Sequence, residues 1–279
     1  MRRDALAGLP TLRAPLRRWY LGARRDLPFR RTREPWAVWL SETILQQTTV
    51  AAGVPRWESF LRRFPTVRSL ARAGEREVLA AWSGLGYYAR ARNLHRAARL
   101  VAAAGGTVPR TVEGLRALPG VGPYTAAAVA SIAFGVPVPA VDGNVTRVLS
   151  RLLAIGGDVR AGTGRAAVEG AADAFLDPAA PGAHNQALME LGALVCLPRK
   201  PRCGACPLAR ACRARAGGRP ELFPQPRKRK PAIRFRLAAG IARRGGRLGL
   251  VEDAHLVPGH LVAPLVAVEE GADARAALR

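Results

Sequence analysis

LPGVGPYTAAAVASIAFG, residues 118–135, reads as the end of one helical segment, a Gly-Val-Gly turn and an Ala-rich second helix. Gly120 and Gly122, on either side of Val121, let the backbone approach a ligand closely and turn amides outward where a helix begins. A helix N-terminus offers free N–H groups and the positive end of a dipole, so a phosphate fits there. The plain alternative is an inter-helix turn with glycine as its cap. A nucleotide-binding Gly-x-Gly-x-x-Gly is excluded, because Thr125 fills the third glycine position and no strand precedes the turn.

The charge of the whole chain weighs toward the phosphate. Its 279 residues carry 44 Lys and Arg against 20 Asp and Glu, a net +24. That excess points to a polyanion. Only Lys200, Lys228 and Lys230 are lysines, and every other basic residue is Arg. An anionic membrane is the rival polyanion, but no polybasic amphipathic helix with a strong apolar face is evident, so nucleic acid leads. A glycine hairpin of this kind contacts DNA backbone without reading sequence. No run of about 18 apolar residues predicts a membrane span. The opening MRRDALAGLP lacks the apolar core and cleavage site of a secretory signal. Leu12, Leu16, Trp19 and Tyr20 instead mark one face of an amphipathic first helix.

Outward from the hairpin, helical patterns dominate. WAVWLSETILQQTTVAAGV, from Trp36, has apolar positions at helical spacing and no breaker before Gly53. Further helices are expected from Pro65–Thr66, through GLGYYARARNL to Gly105–Gly106, after VPAVDGNV, and over 165–194. No strand-like alternation occurs before about residue 232. FPQPRKRKPA (223–232) reads as a basic, proline-rich linker, and the RRGGR that follows sits between two apolar runs like a β-hairpin.

All four cysteines fall in VCLPRKPRCGACPLARAC, residues 195–212: Cys196, Cys203, Cys206 and Cys212. Their C-x6-C-x2-C-x5-C spacing can close around one metal centre. Disulfides are expected in secreted chains, and no secretory signal is evident here. Zinc sites usually pair two short knuckles, whereas only one C-x2-C is present, so a cubane iron–sulfur cluster suits the run at least as well as zinc. Arg199, Lys200, Arg202 and Arg210 within the loop make it a candidate phosphate grip.

The order L-P-G-V-G, V-D-G-N-V-x-R-V-L and four cysteines resembles the helix-hairpin-helix DNA glycosylases of the endonuclease III type. SETILQQTTV and GLGYYARARNL resemble the adenine-specific MutY branch. The match covers roughly residues 12–215. It implies an all-α fold, with a six-helix barrel at about 27–137. It further implies an all-α lobe built from the N-terminal helix and 138–222 that holds a 4Fe–4S cluster on the four cysteines. Together these form a catalytic region over 1–222, with duplex DNA containing a mispaired adenine clamped between the lobes. The linker is expected at 223–231, and 232–279 resembles only the first part of the Nudix-like domain that reads 8-oxoguanine in longer relatives. A monomer in a bacterial cytoplasm, associated with the nucleoid, is expected.

Cutting an adenine N-glycosidic bond needs an acid for the leaving base and an anion beside an oxocarbenium-like sugar. Glu42 shares a helix face with Val38, Trp39 and Leu45, and an apolar surround should raise its pKa. Without the resemblance, it would read as a partly exposed helix charge. Asp142 stands where a helix begins and would also serve as an N-cap. The resemblance carries the acid onto Glu42 and the sugar-facing carboxylate onto Asp142, with Asn144 and Tyr124 as polar supports. Gln46 and Gln47 can hydrogen-bond base edges, and the resemblance places Gln47 and Tyr87 in contacting or wedging the duplex. Gly120, Val121 and Gly122 are the backbone contact already read from the hairpin. The resemblance of RDLPFRRTREPW to the segment lining the adenine pocket places Arg25, Phe29 and Arg30 there.

Three departures stand out. Phe29 replaces the family's usual Trp. Tyr124 stands where strand-nicking relatives have a Schiff-base lysine, so base removal without strand cleavage is expected. The segment GHLVAP differs from the family's aromatic and Phe-Pro pattern, and the later Phe-Ser-His contact is missing. The alternatives are a thymine–guanine mismatch glycosylase of the same group and a non-catalytic DNA-binding iron–sulfur module.

Overall fold

The structure, a computed structural model, describes residues 6–225, 236–253 and 260–268. To residue 225 it consists of helices joined by short turns: α1 Arg13–Ala23, α2 Pro35–Ile44, α3 Val50–Arg63, α4 Val67–Arg72, α5 Glu75–Ala81, α6 Ala89–Ala103, α7 Val112–Arg116, α8 Pro123–Phe134, α9 Gly143–Leu153, α10 Gly162–Phe175, α11 Pro181–Leu194 and α12 Arg213–Ala216. Side chains start several of them. Glu34, Thr49, Thr111 and Asp142 each accept a backbone N–H at the N-cap, and Thr66 with Ser69 forms a reciprocal capping box.

These helices bury two large apolar cores and a small alanine cluster of Ala127, Ala128 and Ala140. The first gathers α2–α8 around Trp36, Trp39, Phe60, Trp82, Leu94 and Leu115. The second joins Leu16 and Tyr20 of α1 to Val148, Phe175 and Leu188 of α9–α11. Leu12 and Trp19 pack partly buried against it, so the apolar face of α1 is used as its spacing predicts.

Between the cores, Asn185 of α11 acts as a staple. Its amide nitrogen donates to Ser131 Oγ of α8 and to Val138 O, both at 2.9 Å, and its oxygen accepts from Ala140 N at 3.1 Å. These bonds fix the segment that leads into Asp142. Replacing it strands buried polar groups, so Asn185→Ala is expected to cost about 3 kcal/mol, or about 6–12 °C in Tm. An unchanged melting curve would remove the staple.

The uninterrupted helix expected from Trp36 does not form. α2 stops at Ile44, Gln47 takes a left-handed φ of 57°, and α3 starts at Val50. No glycine or proline marks this break, because a tertiary contact makes it: Arg90 donates to the last carbonyls of α2. Gly53, the first potential breaker after Trp36, lies inside α3, where a Cβ would come within 2.8 Å of Leu45 Cδ2. The segment after Pro65 likewise divides into α4 and α5 at Ala73–Gly74.

The chain divides into two compact units, Met1–Arg227 and Lys228–Arg279. In the second, β1 Arg236–Ala239 pairs with β6 Leu265–Val268, β2 Ala242–Arg244 with β3 Arg247–Gly249, and β4 Val251–Asp253 with β5 His260–Val262, all antiparallel. The RRGGR hairpin forms, turning at Gly245 and Gly246 with φ of 54° and 76°. Most of the expected linker, 226–231, and Gly259 of GHLVAP lie outside the described residues.

Candidate active site

Glu42 occupies the last turns of α2, where Trp39, Ser41, Thr43 and Ile44 are buried around it. The hydroxyl of Tyr124, from the first turn of α8, donates to Glu42 Oε2 at 2.7 Å. Desolvation pushes the Glu42 pKa up to about 7 against that hydrogen bond, and the nearby charge of Asp142 adds to the rise. Burial also pushes the Tyr124 phenol well above its usual range.

Asp142 is the N-cap of α9. Its Oδ1 accepts from Val145 N at 2.7 Å, and its Oδ2 accepts from Asn144 Nδ2 at 2.8 Å. Burial raises its pKa, and these two bonds restrain the rise by favouring the carboxylate. Asn144 is itself held, since its Oδ1 accepts from Arg147 Nη2 at 2.8 Å. Arg147 continues to Gly192 O at 2.8 Å and Cys196 O at 2.7 Å. Gly192 permits this approach of α9 to α11, because a Cβ there would stand 2.5 Å from Asn144 Cβ.

Glu42, Tyr124, Asp142, Asn144, Arg25, Phe29 and Arg30 line one pocket of about 220 Å³. That is below the ~300–1,000 Å³ of drug-sized ligand sites and in keeping with one flat ring system. A larger groove of about 730 Å³ shares only Tyr124 and Asp142 with this set. The chemistry therefore gathers in the smaller space.

One residue of the site was not legible in the sequence. Glu190 of α11 lines the same pocket with no exposed side-chain surface. Arg25 bonds it through Nε to Oε1 at 2.9 Å and Nη2 to Oε2 at 2.6 Å, and Arg30 does so through Nη1 to Oε1 at 2.8 Å and Nη2 to Oε2 at 2.7 Å. Burial alone would raise its pKa, but the hydrogen bonds from Arg30 and Arg25 hold it down at about 2. Both arginines line the pocket, with their guanidinium groups committed to Glu190. The signal in the sequence was a lone carboxylate in the otherwise apolar run LMELGAL.

The remaining candidates lie around this centre. Gln46 Nε2 donates to Thr125 Oγ1 at 2.9 Å, tying the end of α2 to the hairpin helix. Gln47 is exposed, and Tyr87 shows 64% of its surface. At the hairpin, Gly120 has φ 77° and packs on Asn93, while a Cβ on Gly122 would meet nothing. The Val121 side chain is buried, so only its backbone is available to a ligand. Arg199 and Lys200 are exposed, the latter with φ 48°.

The four cysteines are free of disulfides and line a single small pocket with Arg151, Val195 and Pro220. Burial pushes the Cys206 thiol up to about 11, and the charges of Cys196, Cys212 and Cys203 add to it. Among the described residues, no three His, Cys, Asp or Glu side chains are grouped to hold a metal ion. The thiols face a common space without converging on one point.

Residues 40–169 match the HhH-GPD superfamily of base excision DNA repair proteins. The chain is 47% identical over 220 residues to the human adenine DNA glycosylase, covering 75% of this chain and 40% of that protein. It is 47% identical over 204 residues to the adenine DNA glycosylase of Mycolicibacterium smegmatis, covering 72% and 69%. It thus spans well under half of the human relative and about two thirds of the mycobacterial one. A solved thermostable thymine-DNA glycosylase superposes with a TM-score of 0.68 at 28% identity, covering 74% of this chain and 96% of that one. An endonuclease III trapped as a covalent intermediate with DNA shares the fold, with a TM-score of 0.65 at 24% identity over 76% and 98%. Hairpin, pocket and likeness agree: the chain belongs to the MutY-type adenine DNA glycosylases of the helix-hairpin-helix superfamily.

Proposed function

We propose that this chain hydrolyses the N-glycosidic bond of adenine mispaired with 8-oxoguanine or guanine in duplex DNA and leaves the strand uncut. The observation that carries this is the meeting of Glu42, titrating near neutrality, and Asp142, which accepts from Val145 N and Asn144 Nδ2, in one pocket of single-ring-system size. Protonated Glu42 donates to the adenine ring, which turns a poor leaving group into a neutral one. The Tyr124 hydroxyl orients the acid. Asp142, aimed by Val145 N and Asn144, offers its negative charge to the sugar as positive charge develops there. Water completes hydrolysis.

A stacked base must leave the helix first, at a cost of a few kcal/mol. Gln46 and Gln47 address the base edges, and exposed Tyr87 fills the gap. Gly120–Gly122, with Arg199 and Lys200, take phosphates. Retention of the strand follows from Tyr124 at the hairpin position and from lysines confined to 200 and beyond.

The cysteine pocket fits a 4Fe–4S cluster on Cys196, Cys203, Cys206 and Cys212 better than one zinc ion. Four thiols lining one shared apolar space, with a single C-x2-C pair among them, suit a cluster several atoms across. When bound, the cluster cross-links residues 196–212 and so fixes the loop that bears Arg199 and Lys200. Cys203→Ser is expected to lose the thiolate–iron absorbance and to weaken duplex affinity about 10-fold or more. Zinc in place of iron in the purified chain would overturn the cluster.

Single-turnover base release from adenine–8-oxoguanine, adenine–guanine and thymine–guanine duplexes tests the whole reading. Alkali-dependent breaks at adenine support it. Release of thymine alone overturns the substrate, and strong borohydride trapping overturns the uncut strand.

A further inference from the structure

The helix of Glu42 and the two turns bearing Gln47 and Tyr87 meet at one side chain, Arg90, in the first turn of α6. Its Nη1 donates to Thr43 O at 3.1 Å, to Ile44 O at 3.0 Å and to Gln46 O, and its Nη2 donates to Leu85 O at 3.1 Å. Thr43 and Ile44 end α2, where carbonyls lack helical partners and the dipole favours a cation. The guanidinium also lies 5.4 Å from the Tyr87 ring and 5.5 Å from the Trp82 ring. Trp82 Nε1 in turn donates to Gly86 O at 3.1 Å.

Both exposed probes sit on left-handed backbone, Gln47 at φ 57° and Tyr87 at φ 47°. Residues other than glycine persist there only when their surroundings enforce it. Arg90 holds the carbonyl immediately before Gln47 and a carbonyl two residues before Tyr87, and it carries the Tyr87 ring. One planar guanidinium therefore fixes both turns to each other and to the end of the Glu42 helix. A lysine ammonium at the same place has too few donors and no flat face for this task.

We infer that Arg90 is a positioning residue that preassembles the Gln46–Gln47 and Gly86–Tyr87 turns into one wedge, ready to open the base pair before DNA arrives. This rests on the reading of Gln47 and Tyr87 as the elements that enter the duplex.

The test compares the full-length natural chain with Arg90→Lys, Tyr87→Ala and the double variant. Release of adenine opposite 8-oxoguanine is set against release of adenine facing a one-nucleotide gap, which is already unstacked. 2-Aminopurine fluorescence reports flipping. Arg90→Lys is expected to reduce flipping and duplex release about 10–100-fold, the range for one lost charge-assisted hydrogen bond. Release from the gapped substrate stays within about 3-fold, the pH midpoint stays put, and the double variant loses less than the product of the two single losses. Equal losses on both substrates, a displaced pH midpoint or multiplicative losses would overturn the inference. Should Tyr87→Ala alone leave duplex release intact, the wedge reading falls and takes this inference with it, a result separate from the Arg90 outcomes. If Arg90→Lys does not fold, nitrogen-15 spectra of the natural chain decide. Resolved, slowly rotating Arg90 Nη–H signals in the DNA-free protein support a preformed clamp, and freely averaging signals overturn it.

Discussion

Glu42→Gln is expected to release base at least ~100-fold more slowly while folding more stably than the natural chain. The loss follows from removing a buried acid of the pocket that titrates near neutrality. The gain follows from the same displacement. In the unfolded chain the carboxyl ionises around 4.5, and in the fold only around 7. Between those pH values folding takes up a proton, so stability falls as pH rises through the window. Above about 7 the natural chain buries a charge that a glutamine does not carry. The amide should therefore add about 1–3 kcal/mol at pH 8, add progressively less as pH falls toward 4.5, and add nothing below that. Melting curves of the two proteins at pH 4.5 and pH 8 would converge at the first and separate by several degrees at the second. A Glu42→Gln variant that melts lower at pH 8 would show that the carboxylate is stabilised by something other than its Tyr124 contact. The rate profile carries the matching signature: release by the natural chain declines above about pH 7, and that limb vanishes in the variant.

Asp142→Asn should cost about 10²–10³-fold in base release, the range for removing one preorganised electrostatic partner of a transition state. Its particular value lies in what it spares. An asparagine oxygen can still accept from Val145 N, so the cap of α9 survives, and only the bond with Asn144 is lost. Asp142→Ala removes charge and cap together and should destabilise by about 1 kcal/mol more. If both variants lose activity alike but only Ala lowers the Tm, the charge and the cap are separate duties of one side chain. If Asn retains full activity, Asp142 is a cap alone, and the anion beside the sugar must be sought elsewhere.

The sequence made legible whatever is written in a short span. The Gly120–Gly122 turn, the four-cysteine run and the Asp142 cap each follow from a few neighbouring residues. Glu42 could be placed on an apolar face, and its raised pKa followed from that face. What stayed hidden depends on residues distant in the chain. Glu190 meets Arg25 across 165 positions, and Arg90 ends α2 from more than forty residues away. A helix that stops without glycine or proline, because a guanidinium from elsewhere takes its carbonyls, leaves no local mark. Val121 was legible as part of the hairpin but not as a buried side chain, since the hairpin motif specifies backbone and says little about packing.

The two carboxyls proposed to react have different owners. Glu42 rides on a helix of the first core and Asp142 caps a helix of the second, with Asn185 bonded across the seam. On that proposal, acid and anion are registered by the mechanical alignment of two bodies rather than by a hydrogen bond from one carboxyl to the other. Shear of an ångström along that seam would leave every catalytic group intact and still mistime the reaction. Damage of this kind should surface as slow enzymes with unaltered pockets, produced by substitutions at residues that never touch DNA.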